Sequence, residues 1–175
     1  QNSAAWPDDF CGKVRLFPLP NLVLFPHVVQ PLHIFEPRYC DMLADAMEHD
    51  RLIAMALLME GWESQYQKRP PIASTVCIGK IISHTPTGDG RHNVLLVGVR
   101  RGRVTRELAD HDMLFRVAEV DVLEELYPMD QAEQRYQLME RLQELFMHFV
   151  PEGLAAQESF KQLVGSQLPL GILTD

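Results

Sequence analysis

Between residues 17 and 39 the chain reads FPLPNLVLFPHVVQPLHIFEPRY, a stretch apolar enough to be core yet crossed by Pro18, Pro20, Pro26, Pro31 and Pro37. Proline has no N–H to give to a strand ladder and disrupts a helix interior. One long helix and one long central strand are therefore both excluded here. What remains is a set of short extended segments, VRLF, LVLF and VVQPLHIF, with each proline at a strand end, a bulge or a sheet edge. Pro37 has a different use, because the first position of a helix loses nothing by lacking an N–H. From there Tyr39, Met42, Leu43, Ala46 and Met47 recur at helical spacing, which predicts an amphipathic helix over 37–49.

Beyond that helix, RLIAMALL reads as a buried strand and EGWESQYQKRPP, residues 60–71, as a polar loop carrying two aromatics. STVCIGKIISHT and HNVLLVGVRR flank PTGDGR, where Asp89-Gly90 supplies a turn signal for a hairpin. RGRVTREL and MLFRVAEVDVLEE read as two further strands, the second with Leu114, Arg116, Ala118 and Val120 on one face. At Pro128 the pattern turns helical. Asp130 and Glu133 resemble a capping box, and Leu138, Leu142, Leu145 and Phe149 mark an apolar stripe. A further helix over 154–166 follows the Pro151-Glu152-Gly153 break, and the closing LPLGILTD carries no cap, so the tail either folds back on the body or, the favoured expectation, continues past Asp175. Strands followed by helices, without βαβ repeats, make the class α+β.

Composition bounds the function. With 175 residues, 46% hydrophobic and 23% charged, the chain is ordinary globular material with enough length for one core. No apolar run approaches the roughly 20 residues a bilayer crossing needs, and QNSAAWPDDFCGKV has neither the basic start nor the apolar core of a secretion signal. Neither a membrane partner nor export is expected. Cys11, Cys40 and Cys77 are odd in number and widely spaced, which argues against a disulfide framework or a structural zinc site and favours buried thiols in a reducing cytoplasm. The formal charge of −8 disfavours a nucleic-acid backbone as main partner.

Catalytic signatures do not surface. Phosphate-loop, dinucleotide-binding, HExxH and GxSxG patterns are missing from the sequence. His27, His33, His49, His84, His92, His111 and His148 are scattered without metal-ligand spacing, and Ser159 and Lys161, two apart on a helix, point in different directions. No catalytic, cofactor or metal residue is expected. Glu36 reads first as a cap for the helix that begins at Pro37, with a binding clamp formed with Arg38 as the alternative. Trp62 and Tyr66, beside Arg69, either build a recognition surface or fold over the sheet edge. Arg101 and Arg103 share one strand face while Arg100 and Arg106 take the other, so structural ion pairs compete with a basic patch. The candidate protein-binding residues are Trp62, Tyr66, Arg69, Arg101 and Arg103.

Three features fall in a fixed order: the PLxxxVLFPxxxxPLxIFEPRY opening, Gly79-Lys80-Ile81 on a strand entering the Asp-Gly hairpin, and the step Gly98-Val99-Arg100-Arg101. Together, from about 14 to 125 and more weakly to the end, they resemble the amino-terminal domain of Lon-type ATP-dependent proteases. The IFEPRY version resembles the free-standing bacterial members, which carry the substrate-binding domain without the protease. The resemblance implies a PUA-like, strongly twisted β pseudobarrel with one early helix, followed by a C-terminal helical segment. It divides the chain into an extension, 1–13, a β-rich domain, 14–127, and the helical segment, 128–175. It also implies a non-catalytic module that binds unfolded or partner polypeptides, with an adaptor role in protein quality control. The competing reading is a PUA-like RNA-binding module, prompted by the cluster from Arg100 to Arg106.

Overall fold

The computed structural model describes residues 6–66, 68–109, 113–124 and 129–149. Two compact units result, residues 1–124 and 125–175. The first contains strands β1 (Lys13–Leu19) and β2 (Val29–Ile34), helix α1 (Pro37–Glu48), and strands β3 (Leu52–Leu57), β4 (Thr75–Pro86), β5 (His92–Leu108) and β6 (Arg116–Leu123). The second contains helix α2 (Ala132–Phe149), preceded by a 3-10 turn at Met129–Gln131. Asp130 therefore lies inside that turn and not at the helix cap. The expected helix over 154–166 and the LPLGILTD tail lie outside the described residues.

The sheet runs β2-β5-β4-β3-β1-β6, and β5 also pairs with β6. Five strands thus form a closed circuit, β5-β4-β3-β1-β6 and back to β5, with β2 attached to the first half of β5. This is the twisted pseudobarrel of an α+β fold. The segments HNVLLVGVRR and RGRVTREL, expected as separate strands, are one strand of 17 residues. One strand can serve three neighbours because its pairing is staggered: β2 takes Val29–Ile34 opposite His92–Val97, and β6 takes over from Arg101 to Leu108. Register shifts at Ile78/Gly79, Ile81/Ser83 and Val104/Arg106 provide the bends that closure needs.

Two packed clusters explain the sequence pattern. On one side α1 buries Tyr39, Met42, Leu43 and Ala46 against Phe17, Ile34, Ile53, Met55, Ile81 and Leu96. On the other, Val14, Leu16, Leu52, Ala54, Ala56, Ile78 and Val120 fill the second cluster. β3 feeds both, alternating Ile53 and Met55 with Leu52, Ala54 and Ala56, so it is apolar at every position. Each fully buried large side chain here stabilises the fold by about 1.5–3 kcal/mol. Arg15 on β1 reaches Asp45 near the end of α1 and Asp50 beyond it, the latter at 2.7 Å, and so ties helix to sheet.

The prolines fall where their chemistry permits. Pro18 lies past Leu16, where the pairing of β1 with β6 stops. Pro31 sits in β2, an edge strand, and Pro37 opens α1. LVLF, however, forms no strand. Residues 24–28 instead pass directly over β5, with Pro26 bridged to Gly98, His27 N–H donating to Gly98 O at 2.8 Å and Gly98 N–H to Val28 O at 2.9 Å. A Cβ on Gly98 would stand 2.1 Å from Phe25 O. Its cross-strand neighbour Gly79 is also tight, since a Cβ there would meet Leu96 Cγ at 2.6 Å.

The hairpin between β4 and β5 exists, but its turn differs from the expected tight one. It spans Thr87 to Arg91, and the positive φ angles belong to Gly88 and Gly90. Asp89 instead accepts hydrogen bonds from Thr87 Oγ1 at 2.6 Å and Arg91 N–H at 3.2 Å, which favours the longer loop. Of the thiols, Cys77 is buried, Cys40 half-buried and Cys11 exposed, so the buried reading fails for Cys11. Trp6 and Phe10 pack against the second cluster ahead of β1. No helix among the described residues is long and apolar enough to cross a membrane.

Gly98→Ala is expected to lower unfolding stability by about 1–3 kcal/mol, because the obstructing atoms are backbone and the added methyl overpacks the crossing. Urea denaturation monitored by tryptophan fluorescence measures this, and an unchanged midpoint would show that residues 24–28 do not press on β5.

Candidate functional site

A cleft of about 600 Å³ opens in the first unit where three segments meet. The start of α1 gives Glu36, Pro37, Arg38 and Tyr39. The loop after β3 gives Tyr66, Lys68, Arg69 and Pro70, and the approach to β6 gives Met113, Leu114, Phe115 and Arg116. Pro18 and Leu58 complete the lining.

Arg38 organises one wall. Its guanidinium carbon lies 4.7 Å from the ring centroids of both Tyr39 and Tyr66, a double cation–π contact. Nε and Nη2 donate to Glu36 Oε2 at 3.1 and 2.8 Å, and Nη1 donates to Tyr66 O at 3.2 Å. Tyr66 Oη donates to the other oxygen, Glu36 Oε1, at 2.5 Å. Glu36 does occupy the cap position of α1, but its side chain makes no cap hydrogen bond. The expected capping role is therefore wrong. The carboxylate is engaged by Arg38 and Tyr66, because a guanidinium fork and a phenol offer it stronger donors than backbone N–H groups.

Arg116 organises the opposite wall. It is buried, and a buried guanidinium is tolerable only when paired and hydrogen-bonded. Glu107 on β5 accepts from Nε at 2.9 Å and Nη2 at 2.5 Å, and Pro70 O accepts from Nη1 at 2.8 Å. Pro70 is thereby pinned to β6, and Arg69 Nη1 donates to Leu108 O at 3.1 Å, fixing the loop to the end of β5. Burial pushes the Tyr39 phenol up to about 12, with Arg38 partly opposing the rise. Burial and the hydrogen bond to Glu36 raise Tyr66 as well. The Arg38 guanidinium, despite the burial that opposes its charge, is held above its ordinary value by Tyr39 and Glu36.

Of the expected binding residues, Tyr66 and Arg69 line this cleft. Trp62, in a 3-10 turn at Trp62–Gln65, stands edge-on to Tyr66 with ring centroids 5.4 Å apart. Both rings are half-buried, and Tyr66 covers Arg38 at the start of α1. Arg101 borders a separate cavity of about 210 Å³ with Val23, Phe25 and Thr75. Arg103 is exposed on β5 opposite Asp121 and lines neither. Arg106, by contrast, forms the expected surface ion pair with Glu119 at 2.8 Å.

Sequence reasoning missed Arg116, Glu107, Lys68 and Tyr39 as site residues. A lone arginine on an otherwise apolar strand face was the available signal for Arg116. The histidines are also less scattered than they look, since His84 Nε2 and His92 Nδ1 are 2.9 Å apart across the hairpin. Among the described residues, no group of three or more His, Cys, Asp or Glu side chains could hold a metal ion.

A family model described as the ATP-dependent protease La (LON) substrate-binding domain matches residues 13–171. Lon protease 1 of Myxococcus xanthus is 30% identical over 108 residues, 59% of this chain and 13% of its own length. Lon protease of Aquifex aeolicus is 31% identical over 110 residues, 63% of this chain and 14% of its own. The chain thus spans about one-seventh of the curated relatives it matches. Among solved structures, the N-terminal domain of Mycobacterium avium complex Lon protease superposes with a TM-score of 0.68 at 17% identity, covering 93% of this chain and 80% of that one. A Lon N-terminal domain protein from Xanthomonas campestris gives 0.53 at 26% identity, covering 74% and 72%.

Two outcomes test the cleft. Glu36→Ala removes the acceptor for both Arg38 and Tyr66, and should accelerate amide exchange across residues 59–71 by about tenfold while leaving β3–β4 exchange unchanged. Alkaline titration by ultraviolet absorption should show a tyrosine ionising near 12. Because its neutral form is favoured by folding, its stability contribution is complete below about pH 10, the ordinary phenol value, and is lost as pH rises towards 12.

Proposed function

The chain belongs to the Lon substrate-binding domain family, and from that membership we propose that it is a non-catalytic module that captures unfolded or partner polypeptides through the cleft between α1, the 58–71 loop and residues 113–116. The observation that carries the reading is the match of residues 13–171 to a domain defined by substrate binding, not by catalysis. The cleft adds the means. Tyr39, Tyr66, Leu114 and Phe115 give aromatic and aliphatic surface, and the prolines on its walls keep that surface rigid. Preorganised apolar walls with a few fixed polar groups suit a peptide segment, since little entropy is lost in ordering them.

Within this reading Tyr66 and Arg69 contact the bound chain and Trp62 supports Tyr66. Arg101 and Arg103 stand outside the cleft and are not part of the proposed binding surface. The module works as an adaptor in protein quality control, presenting captured chains for processing elsewhere. The RNA-binding alternative draws on Arg100 to Arg106, but alternation along β5 and the pairing of Arg106 with Glu119 divide that charge.

The test is direct binding of a reduced and alkylated, permanently unfolded polypeptide, followed by fluorescence anisotropy. Saturable binding is expected, weakened about fivefold or more by Trp62→Ala or Tyr66→Ala in variants that melt as wild type does. No binding by well-folded wild-type protein would overturn the proposal. Salt-sensitive retention of oligouridylate instead would establish the RNA reading.

A further inference from the structure

The charge of the cleft contradicts the charge of the chain. The whole protein carries −8, yet the lining holds Arg38, Lys68, Arg69 and Arg116 against a single carboxylate, Glu36. Two of these cations are already matched: Arg38 by Glu36, and Arg116 by Glu107. Their remaining partners are backbone carbonyls, Tyr66 O and Pro70 O, so each guanidinium is spent on building a wall. Lys68 and Arg69 differ. Both are exposed, and among the described residues no carboxylate pairs with either, Arg69 donating only to Leu108 O. Among the described residues they form a positive mouth on an apolar cleft, without a carboxylate partner.

Resting on the binding role above, we propose that the cleft selects acidic apolar peptide segments, with aliphatic or aromatic side chains seated against Tyr39, Tyr66, Leu114 and Phe115 and flanking carboxylates read by Lys68 and Arg69. The walls are fixed and neutralised, so they take apolar groups irrespective of charge. The mouth supplies the discrimination. A cationic segment meets Lys68 and Arg69 as repulsion, and this repulsion specifies as effectively as attraction does. Arg69 suits the task through its geometry, because its bond to Leu108 O orients a guanidinium whose other donors remain available for a carboxylate. The overall negative charge of the chain assists, since it disfavours acidic segments over the surface at large and sharpens the contrast with this opening.

The experiment compares three fluorescein-labelled peptides that share one leucine- and phenylalanine-rich pattern and differ at the intervening positions, which carry Asp and Glu, Ser, or Lys. With the full chain, the acidic peptide should bind about tenfold tighter than the serine peptide and the lysine peptide weakest. That order should collapse at high salt, as expected of exposed charges. The double variant Lys68→Glu with Arg69→Glu should lose about tenfold for the acidic peptide and gain for the lysine peptide. Single Lys68→Gln and Arg69→Gln variants give intermediate losses and stand in if the double variant folds poorly.

Equal binding of all three peptides by wild type, or an acidic preference that survives the variants, would overturn the selection while leaving the polypeptide-binding role intact. Failure of every peptide to bind, together with the unfolded polypeptide, would overturn both. Oligouridylate binding tighter than the acidic peptide would show a polyanion site and likewise overturn the inference.

Discussion

The crossing of residues 24–28 over Gly98 is the constraint on which the remaining architecture depends. The two chains approach so closely that Phe25 O occupies the place of a side chain, and backbone hydrogen bonds from His27 and Gly98 lock the contact. Because the crossing is fixed, β2 must leave it along the first half of β5, and α1 must follow with its apolar face on the first cluster. The position of Glu36, Arg38 and Tyr39 is set by the same geometry. A bulge at Ile78/Gly79 adjoins the crossing, so the bend in the sheet and the passage of the proline-rich segment are one local event.

The cleft has a related logic, in which one buried and one half-buried guanidinium are used for placement. Arg38 and Arg116 each give three donors to a carboxylate and a backbone carbonyl, and each carbonyl belongs to the loop after β3. A loop with little regular structure is thereby held against two different walls. Desolvating two guanidiniums costs stability that well-packed apolar residues would not. The return is a concave surface whose rim charges remain available to solvent.

Much of this was legible in the residues. Proline spacing gave the broken start and the helix at Pro37, the period of Tyr39, Met42, Leu43 and Ala46 gave its buried face, and Leu52 to Leu57 read as a strand buried on both sides. The misreadings have physical causes. LVLF has strand composition, but a chain crossing at Gly98 has no free neighbour with which to form a ladder. β5 was divided at its arginines, because nothing local says that a strand exchanges β2 for β6 midway. Glu36 was read as a cap since its competing donors, on Arg38 and especially Tyr66, meet it only in three dimensions. Arg101 and Arg103 were grouped with Tyr66 by charge, though they lie outside the cleft it lines. Arg116 was read only as part of a strand face because its partners, Glu107 on the neighbouring strand and Pro70 46 residues away, meet it only in three dimensions.

The closed circuit of strands has a consequence for the order of synthesis. β1, the first strand made, lies between β3 and β6, and β6 also seals the barrel against β5. Until residue 123 has left the ribosome, neither β1 nor β5 has its final neighbour, and LIAMAL, destined for burial on both faces, lacks a complete enclosure. Long-range closure of this kind forms slowly because loop entropy must be overcome before the contacts repay it. The strands that end as the core of the closed circuit thus spend their synthesis with apolar faces uncovered.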